Sequence, residues 1–503
     1  METGLPLLSA MLITLPLGAA LIWLAPSERQ VRWIALLTAL LDLLLALVVL
    51  AAFDSTREGF QLVERIEWIP SLNLHYHLGV DGFSVAFLPL TVLLFNAVLL
   101  ASWNSVRTLP RLYYTLLLLL ESTTLGIFLA LDTMLFFLFW ELTLVPIYFL
   151  VSLWGVGPHR RYAAVKYTLF MMVGGVPLLF GFLVLAFGSA GLGGGQPPHG
   201  LVFDYETLLA QLPPRDVQVV VFFLLLTGFA AKTPVFPLHT WLPTVAMEGP
   251  IAVAAIMTGL KIGVYGIIRF VVPLAPEAAL QYHWLLAGLG VVGLLYGALA
   301  ALGQTNLRRM LAFSSVSHVG LVLLGIASLN LQGLQGAVFQ LLNFTIVAGA
   351  LFLVTGFLHH RTGSTDIISL GGVAVNMPLL AAFFFFFGLA SMGVPGTNGF
   401  PAEFLLVMGA LSTHTGAGLA ALVTIVLGAG YFLGIYRRAF LGPVQSDVIG
   451  DAVDLGRREL LLVVTLATLV LLLGLWPQGV LEIIRVAGES WVRHLGTAAG
   501  VGH

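Results

Sequence analysis

The sequence predicts an all-α polytopic membrane protein of about fourteen transmembrane helices, and three observations carry that prediction. Hydrophobic residues fill 59% of the 503 positions while charged residues fill only 9%, and mean hydropathy is +1.01. Apolar runs close to the ~20 residues needed to cross a bilayer recur along the whole chain. The longest polar gaps between them, 54–81, 189–216, 359–375 and 477–503, are loop-sized and leave no room for a large soluble domain.

Spans are expected near 4–24, 32–53, 82–103, 112–131, 133–155, 163–188, 217–240, 250–272, 283–303, 310–328, 333–358, 376–411, 417–440 and 459–476. The first is followed by further spans and not by a small-residue cleavage site, so it reads as a retained helix. Within 54–81, "FQLVERIEWIPSLNLHYHLGVD" alternates apolar and polar residues as a short hairpin does. "FDYETLLAQL" reads as a short amphipathic surface helix, and "GLGGG" at 191–195, which follows no strand, as a loop and not a nucleotide site. Cysteine is absent, which excludes disulfides, thiolate zinc sites and cysteine-held iron–sulfur clusters. No cofactor is therefore expected in this chain. The net charge of -2 gives no support for a nucleic-acid surface. Arginine sets the orientation, because positive residues stay on the cytoplasmic side. With the N-terminus outside, 13 of the 19 arginines fall in inside loops, which favours both termini on the non-cytoplasmic side.

Only three lysines exist, Lys166, Lys232 and Lys261, and all three fall within predicted spans. Arginine holds its proton permanently, whereas a lysine in a desolvated site can release one. Of 24 carboxylates, Glu121, Glu141 and Glu403 lie well inside apolar runs. An unpaired charge at mid-bilayer costs roughly 2.5–3.5 kcal/mol on insertion scales, so these groups should pair or line a hydrated cavity. Glu141 with Lys232 is the expected pair. Lys166, three to five residues inside its span behind Arg160 and Arg161, either snorkels to the interface or joins a relay. His239 and His318 can serve as packing anchors or as relay groups, since neutral histidine both donates and accepts. Asp42 and Asp132 read as near-interface residues, and His359 and His360 as loop residues without a metal-ligand cluster.

Two spans carry breaks. Pro234 and Pro237 interrupt the seventh beside Lys232, and Pro395, Gly396, Asn398, Gly399 and Pro401 interrupt the twelfth just before Glu403. Each proline frees a carbonyl one turn back, tolerated at membrane depth only where protein or water satisfies it. Breaks five spans apart suggest two inverted five-helix repeats, 112–272 and 283–440, between three leading helices in 1–111 and a last helix with its tail in 441–503.

The blocks "WELTLVPIYFLVSLWG", "GFAAKTPVFPLHTWLP", "LKIGVYGIIRF", "LRRMLAFSSVSHVGLVLLG" and "GFPAEFLLVMGA" occur in this order between about residues 80 and 440. Together they resemble the antiporter-like membrane subunits of respiratory complex I, NADH-quinone oxidoreductase, and most closely its chain M (subunit 4) type. The resemblance implies a membrane-arm subunit that couples quinone reduction elsewhere to proton translocation. NADH, FMN, iron–sulfur clusters and quinone would then sit in partner subunits, and sister antiporter-like subunits would be neighbours in the bilayer. Glu141, Lys232, Lys261 and Glu403 match the family's glutamate of helix five, lysines of helices seven and eight, and glutamate of helix twelve. Glu121 and Lys166 also stand where the family has matching charges. The chain departs from the pattern at Thr244, Val245 and Ala246, where Asp-Ala-His is usual, and at Phe344, where many members have histidine. His239, His318, Asn343 and ordered water are left as candidates for the central relay. A sodium/proton antiporter, a membrane-bound hydrogenase, an inorganic-carbon uptake complex and a non-pumping structural subunit are the alternatives.

Overall fold

The computed structural model describes residues 6–190 and 200–498, so the loop expected at 191–195 lies outside the described residues. The chain runs through α1 (Leu7–Leu24), α2 (Glu28–Ala52), a hairpin of β1 (Gln61–Ile69) and β2 (Leu74–Val80), α3 (Phe87–Ala101) and α4 (Pro110–Leu129). Next come α5 (Thr133–Leu142), α6 (Leu144–Trp154), α7 (Arg160–Ala190), the short α8 (Tyr205–Ala210) and α9 (Arg215–Lys232). The middle holds α10 (Trp241–Glu248), α11 (Ile251–Gly259), α12 (Ile262–Gly266), a single turn α13 (Val272–Leu274), α14 (Pro276–Leu302), α15 (Leu307–Ala327) and α16 (Leu331–Thr362). The rest comprises α17 (Val373–Asn376), α18 (Pro378–Ser391), α19 (Gly399–Thr413), α20 (Thr415–Phe440), α21 (Asp447–Gly450), α22 (Arg457–Leu475) and α23 (Gln478–Ala498).

Among the described residues, eleven segments are long and apolar enough to cross a membrane, and α3, α18 and α19 are shorter apolar helices. The chain is an integral, multi-pass membrane protein. Burial divides the helices by role. α15 and the α11–α13 segment are enclosed almost completely, whereas α1, α2, α20 and α22 keep leucine-rich outer faces such as Leu37, Leu44, Leu461 and Leu475. Lipid tails satisfy such faces as well as a protein core does.

The hairpin forms as expected, antiparallel with Arg65 opposite His77 and Glu67 opposite His75. It is fastened from below by backbone bonds: Leu131 N–H donates to the His77 carbonyl, and Tyr205 N–H to that of Leu131. Asp132 caps α5 through the Met134 and Leu135 amides and also accepts from His75 N–H, which fixes it at a helix end. Beside it the buried His77 Nδ1 lies 2.7 Å from Asp204, whose other oxygen accepts from Thr207 N–H and its hydroxyl. Burial works against the Asp204 charge, but the bonds from His77 and Thr207 outweigh it and hold the carboxyl well below the usual carboxylate range. A depressed native pKa contributes stability above about pH 4 that is lost as pH falls further. Asp204→Asn should therefore cost roughly 1.5–3 kcal/mol at pH 7 and nearly nothing once the carboxyl is protonated at strongly acid pH. Thermal melts of both proteins across that range would reveal a constant difference if the reasoning fails.

Four sequence expectations need correction. The 477–503 gap, read as loop, contains the 21-residue helix α23, whose Trp491, Ile484 and Leu495 are buried against the body. Charges on its outer face dilute its hydropathy below that of a span. The eighth span, expected to be continuous, unwinds at Lys261 (φ -100°, ψ 54°), and a π-helical turn follows at Ile267–Val271. No proline marks that break. Asp42 is fully buried halfway along α2 and not near an interface, while His359 and His360 belong to the last turns of α16.

Candidate functional site

Of the ionisable residues predicted for the membrane interior, Lys232, Lys261 and Glu403 stand at or just beyond helix breaks, whereas Glu121 is enclosed midway along α4. Lys232 is the last residue of α9, where the chain leaves helical geometry at Thr233. Its ammonium is buried, donates to the Trp140 carbonyl at 3.1 Å and to the Thr143 hydroxyl at 2.7 Å, and sits 4.0 Å from the centre of the Trp140 ring. The expected direct ion pair with Glu141 is not formed; Glu141 is a near neighbour that acts on Lys232 through its field. Its Oε1 has no protein partner, and its carboxyl occupies the space that a side chain at Gly175 of α7 would fill. Thr143, at the joint between α5 and α6, accepts from Lys232 and donates to the Trp140 carbonyl, so that joint and not the carboxylate holds the ammonium directly. Nothing in the sequence distinguished this threonine from the many others in apolar helices.

Lys166 does not snorkel away. Its ammonium reaches the far side of the same break and donates to the Thr240 carbonyl at 2.9 Å and the Thr244 hydroxyl at 3.0 Å. The break between α9 and α10 is therefore held by one lysine at each end. His239, inside it, is 3% exposed with its Nδ1 unpartnered, enclosed by the Phe236, Tyr296 and Phe313 rings. Gly263 at the start of α12 packs so tightly on Thr233 and the Phe229 carbonyl that any side chain there would strike backbone. The breaks of the seventh and eighth spans are thus in direct contact.

Lys261 has no acidic partner among the described residues. Its Nζ donates to the Thr258 carbonyl, one of those freed by the unwinding, and lies 5.6 Å from the centre of the Phe344 ring. His318 packs edge-on against the same ring, with 5.9 Å between centres. The His318 Nε2 is 3.1 Å from the Ser391 carbonyl and 3.6 Å from Glu403 Oε1. Phe344 is thus in contact with both Lys261 and His318, and His318 in turn with Glu403. Two small cavities border His318, and neither is lined by Lys261. One, of about 20 Å³, is lined by Ser314, Ser315, Gln340, Asn343, Phe344 and His318, and another of the same size by His318, Ser391, Thr424, Tyr431 and Glu403. Each has room for about one water, and His318 with Ser391 forms the wall between them. Asn343 donates to Gln340 and leaves its own carbonyl oxygen free, while the Ser315 hydroxyl is also unpartnered.

Glu403 opens α19 beyond the second predicted break, and Gly393 makes its position possible. Gly393 has φ +65°, and a Cβ on it would collide with the Glu403 carboxyl. Gly393→Ala should strain the backbone by roughly 1–3 kcal/mol and push Glu403 off its site beside His318. A lower melting temperature together with slower proton uptake is expected; a variant normal in both would show that the glycine is not required. Glu121 is not part of this row: the charge facing it is that of Asp42.

Comparison with known proteins places this arrangement. Residues 130–428 match the family described as NADH:quinone oxidoreductase/Mrp antiporter, TM. The chain belongs to this family. Among relatives of the NADH:quinone oxidoreductase/Mrp antiporter family, chain 4 of a Synechococcus NAD(P)H-quinone oxidoreductase is 39% identical over 489 residues, covering 94% of this chain and 90% of that protein. Subunit M of the Pseudomonas aeruginosa NADH-quinone oxidoreductase is 38% identical, over 97% of this chain and 98% of its own length. A chain of respiratory complex I from Thermus thermophilus superposes with a TM-score of 0.88 at 30% identity, covering 97% of this chain and 100% of that one. A chain of the Mrp complex from Dietzia follows at 0.83 and 25%, with 98% and 100% covered. Membership in the NADH:quinone oxidoreductase/Mrp antiporter family fits an apolar bundle with Lys232 and Lys261 at interruptions of its helices.

Proposed function

We propose that this chain is a proton-translocating membrane-arm subunit of a bacterial NADH:quinone oxidoreductase, in the cytoplasmic membrane with both termini outside. The observation that carries the reading is a row of ionisable groups: Lys232, Lys261 and Glu403, buried at or beside helix breaks, with the half-buried Glu141 and His318 next to them. Lys232 holds the transported proton, and the Glu141 charge, Trp140 carbonyl and Thr143 hydroxyl stabilise its ammonium form. A shift of charge in a neighbouring subunit draws Glu141 out of reach, and the proton moves on towards Lys261. From there water beside Asn343 and Ser315 carries it to His318, and the histidine passes it to Glu403. Lys166 and His239 tune the break between α9 and α10. The two interrupted helix pairs make up two inverted five-helix repeats, 112–272 and 283–440, which lets one half-path face each side of the membrane.

NADH, FMN, iron–sulfur clusters and quinone belong in this reading to partner subunits, and sister antiporter-like chains flank this one in the membrane. Gentle solubilisation and affinity isolation through a tag on this chain should recover flavin-containing and iron–sulfur subunits together with quinone-linked NADH oxidation. Recovery of a purely membrane-embedded antiporter assembly, without NADH oxidation, would overturn the assignment to complex I.

A further inference from the structure

The helices ahead of that row contain charged groups which it does not use. Asp42 of α2 and Glu121 of α4 are both fully buried, and all four of their carboxyl oxygens lack a protein hydrogen-bond partner. The two side chains are within electrostatic reach of one another, on helices that pack together. The polar groups around them add to the deficit. Asn96 of α3 spends both amide hydrogens on the Ala39 and Val92 carbonyls, one turn before Asp42, and its own Oδ1 is unpartnered. Ser122, beside Glu121, donates to the Leu12 carbonyl. The site thus holds five acceptor oxygens, and its neighbouring donors are committed elsewhere.

Among the described residues no basic group pairs with either carboxyl. α1 and α3 carry no titratable residue, Arg32 stands ten residues before Asp42, about 15 Å along the helix, and Tyr114 seven before Glu121, about 10 Å. Of the elements packed around these helices, β1 brings Glu64, whose carboxylate is taken by the Leu8 and Ser9 amides, with Tyr76 of β2 on the Ser9 hydroxyl. α5 brings Asp132, which caps it, and Glu141, which faces Gly175. α16 and α22 bring His359, His360, Arg361, Arg458 and Glu459 near the Arg32 end of the bundle.

Two carboxylate charges within electrostatic reach of one another cannot both remain unpaired in a low-dielectric interior. We infer that Asp42 and Glu121 form a second proton-binding site, separate from the Glu141–Lys232–Lys261–Glu403 row, in which a bound proton neutralises one of the two carboxyls. The proton removes one of the charges and converts one of the unpartnered acceptors into a donor. The site lies in the α1–α4 bundle, so proton occupancy here couples to the packing of these helices and not to the helix breaks.

The inference does not rest on the pumping reading; normal pumping in a Lys232 variant would sink that reading and leave this one standing. Infrared difference spectra of the purified complex containing this chain, in H₂O and D₂O, should contain a deuterium-sensitive carboxylic C=O band. That band should move in Asp42→Asn and in Glu121→Gln and vanish in the double variant. An unchanged set of carboxylic bands in the double variant would refute the bound proton, as would a band that emerges only on removal of sodium, the mark of a cation site. A second measurement needs no variant. A hydrophobic carbodiimide, which attacks protonated carboxyls, should label Glu121 or Asp42 in the unmodified complex, and peptide mass spectra without an adduct on either would overturn the proposal.

Discussion

Sealed membrane vesicles carrying the complex with Lys232→Met should oxidise NADH without proton uptake above background, while the complex assembles normally. Methionine matches the length of the lysine stem and keeps its contacts with the Trp140 ring, so the fold has little reason to change. What disappears is the ammonium that donates to the Trp140 carbonyl and the Thr143 hydroxyl. Lys232→Arg sharpens the test, because a guanidinium preserves the charge but does not release its proton. It should pump as poorly as methionine. Normal proton stoichiometry in the arginine variant would mean that the charge matters and the proton transfer does not. Poor assembly of both variants would make the buried charges a structural device.

The second large effect is expected at Asp81→Asn. Arg269 leaves the π-helical turn of the eighth span and meets Asp81, at the end of the hairpin, through two bonds of 2.7 Å each. Its Nε donates to the Tyr265 hydroxyl, and the rings of Phe60, Tyr205 and Tyr265 surround the guanidinium at 5.0–5.6 Å. With both partners almost wholly enclosed, removal of the carboxylate leaves a buried cation without its counter-charge, at a cost of roughly 3–5 kcal/mol. The melting temperature of the solubilised protein should fall sharply. Replacing both residues by apolar ones of similar volume should recover much of that loss. A single variant that melts within a degree of the parent would show that water reaches the pair and that it does not hold the hairpin to the bundle.

The legible and illegible parts of this molecule divide along a physical line. Proline is a visible signal, and the breaks beside Lys232 and before Glu403 could be placed because Pro234, Pro237, Pro395 and Pro401 stand there. The break at Lys261 has no such mark; it depends on Gly263 allowing α12 to press against Thr233, a contact between segments distant in function from any local propensity. Lys166 could be read two ways, because the residue that decides between them, Thr244, lies 78 positions away. Asp42 looked peripheral because its run of leucines gives no sense of depth, and α23 looked like a tail because an amphipathic helix is only half apolar. The lysine count, by contrast, was a strong signal: three lysines, all within spans, in a chain that uses arginine everywhere else.

α23 has a further consequence. Its Trp491 donates to the Ile268 carbonyl at 3.0 Å, and His494 lies 2.9 Å from that of Pro273. Both acceptors belong to the irregular stretch of the eighth span, which the 21 residues of α23 complete from more than 200 positions downstream. Synthesis proceeds from the N-terminus, so the ribosome has made nearly every other helix before these carbonyls find their donors. Maturation of the Lys261 helix is thereby made a late event in biogenesis, and a nascent chain inserted up to α22 carries its interior lysine in a helix still awaiting its last two fastenings.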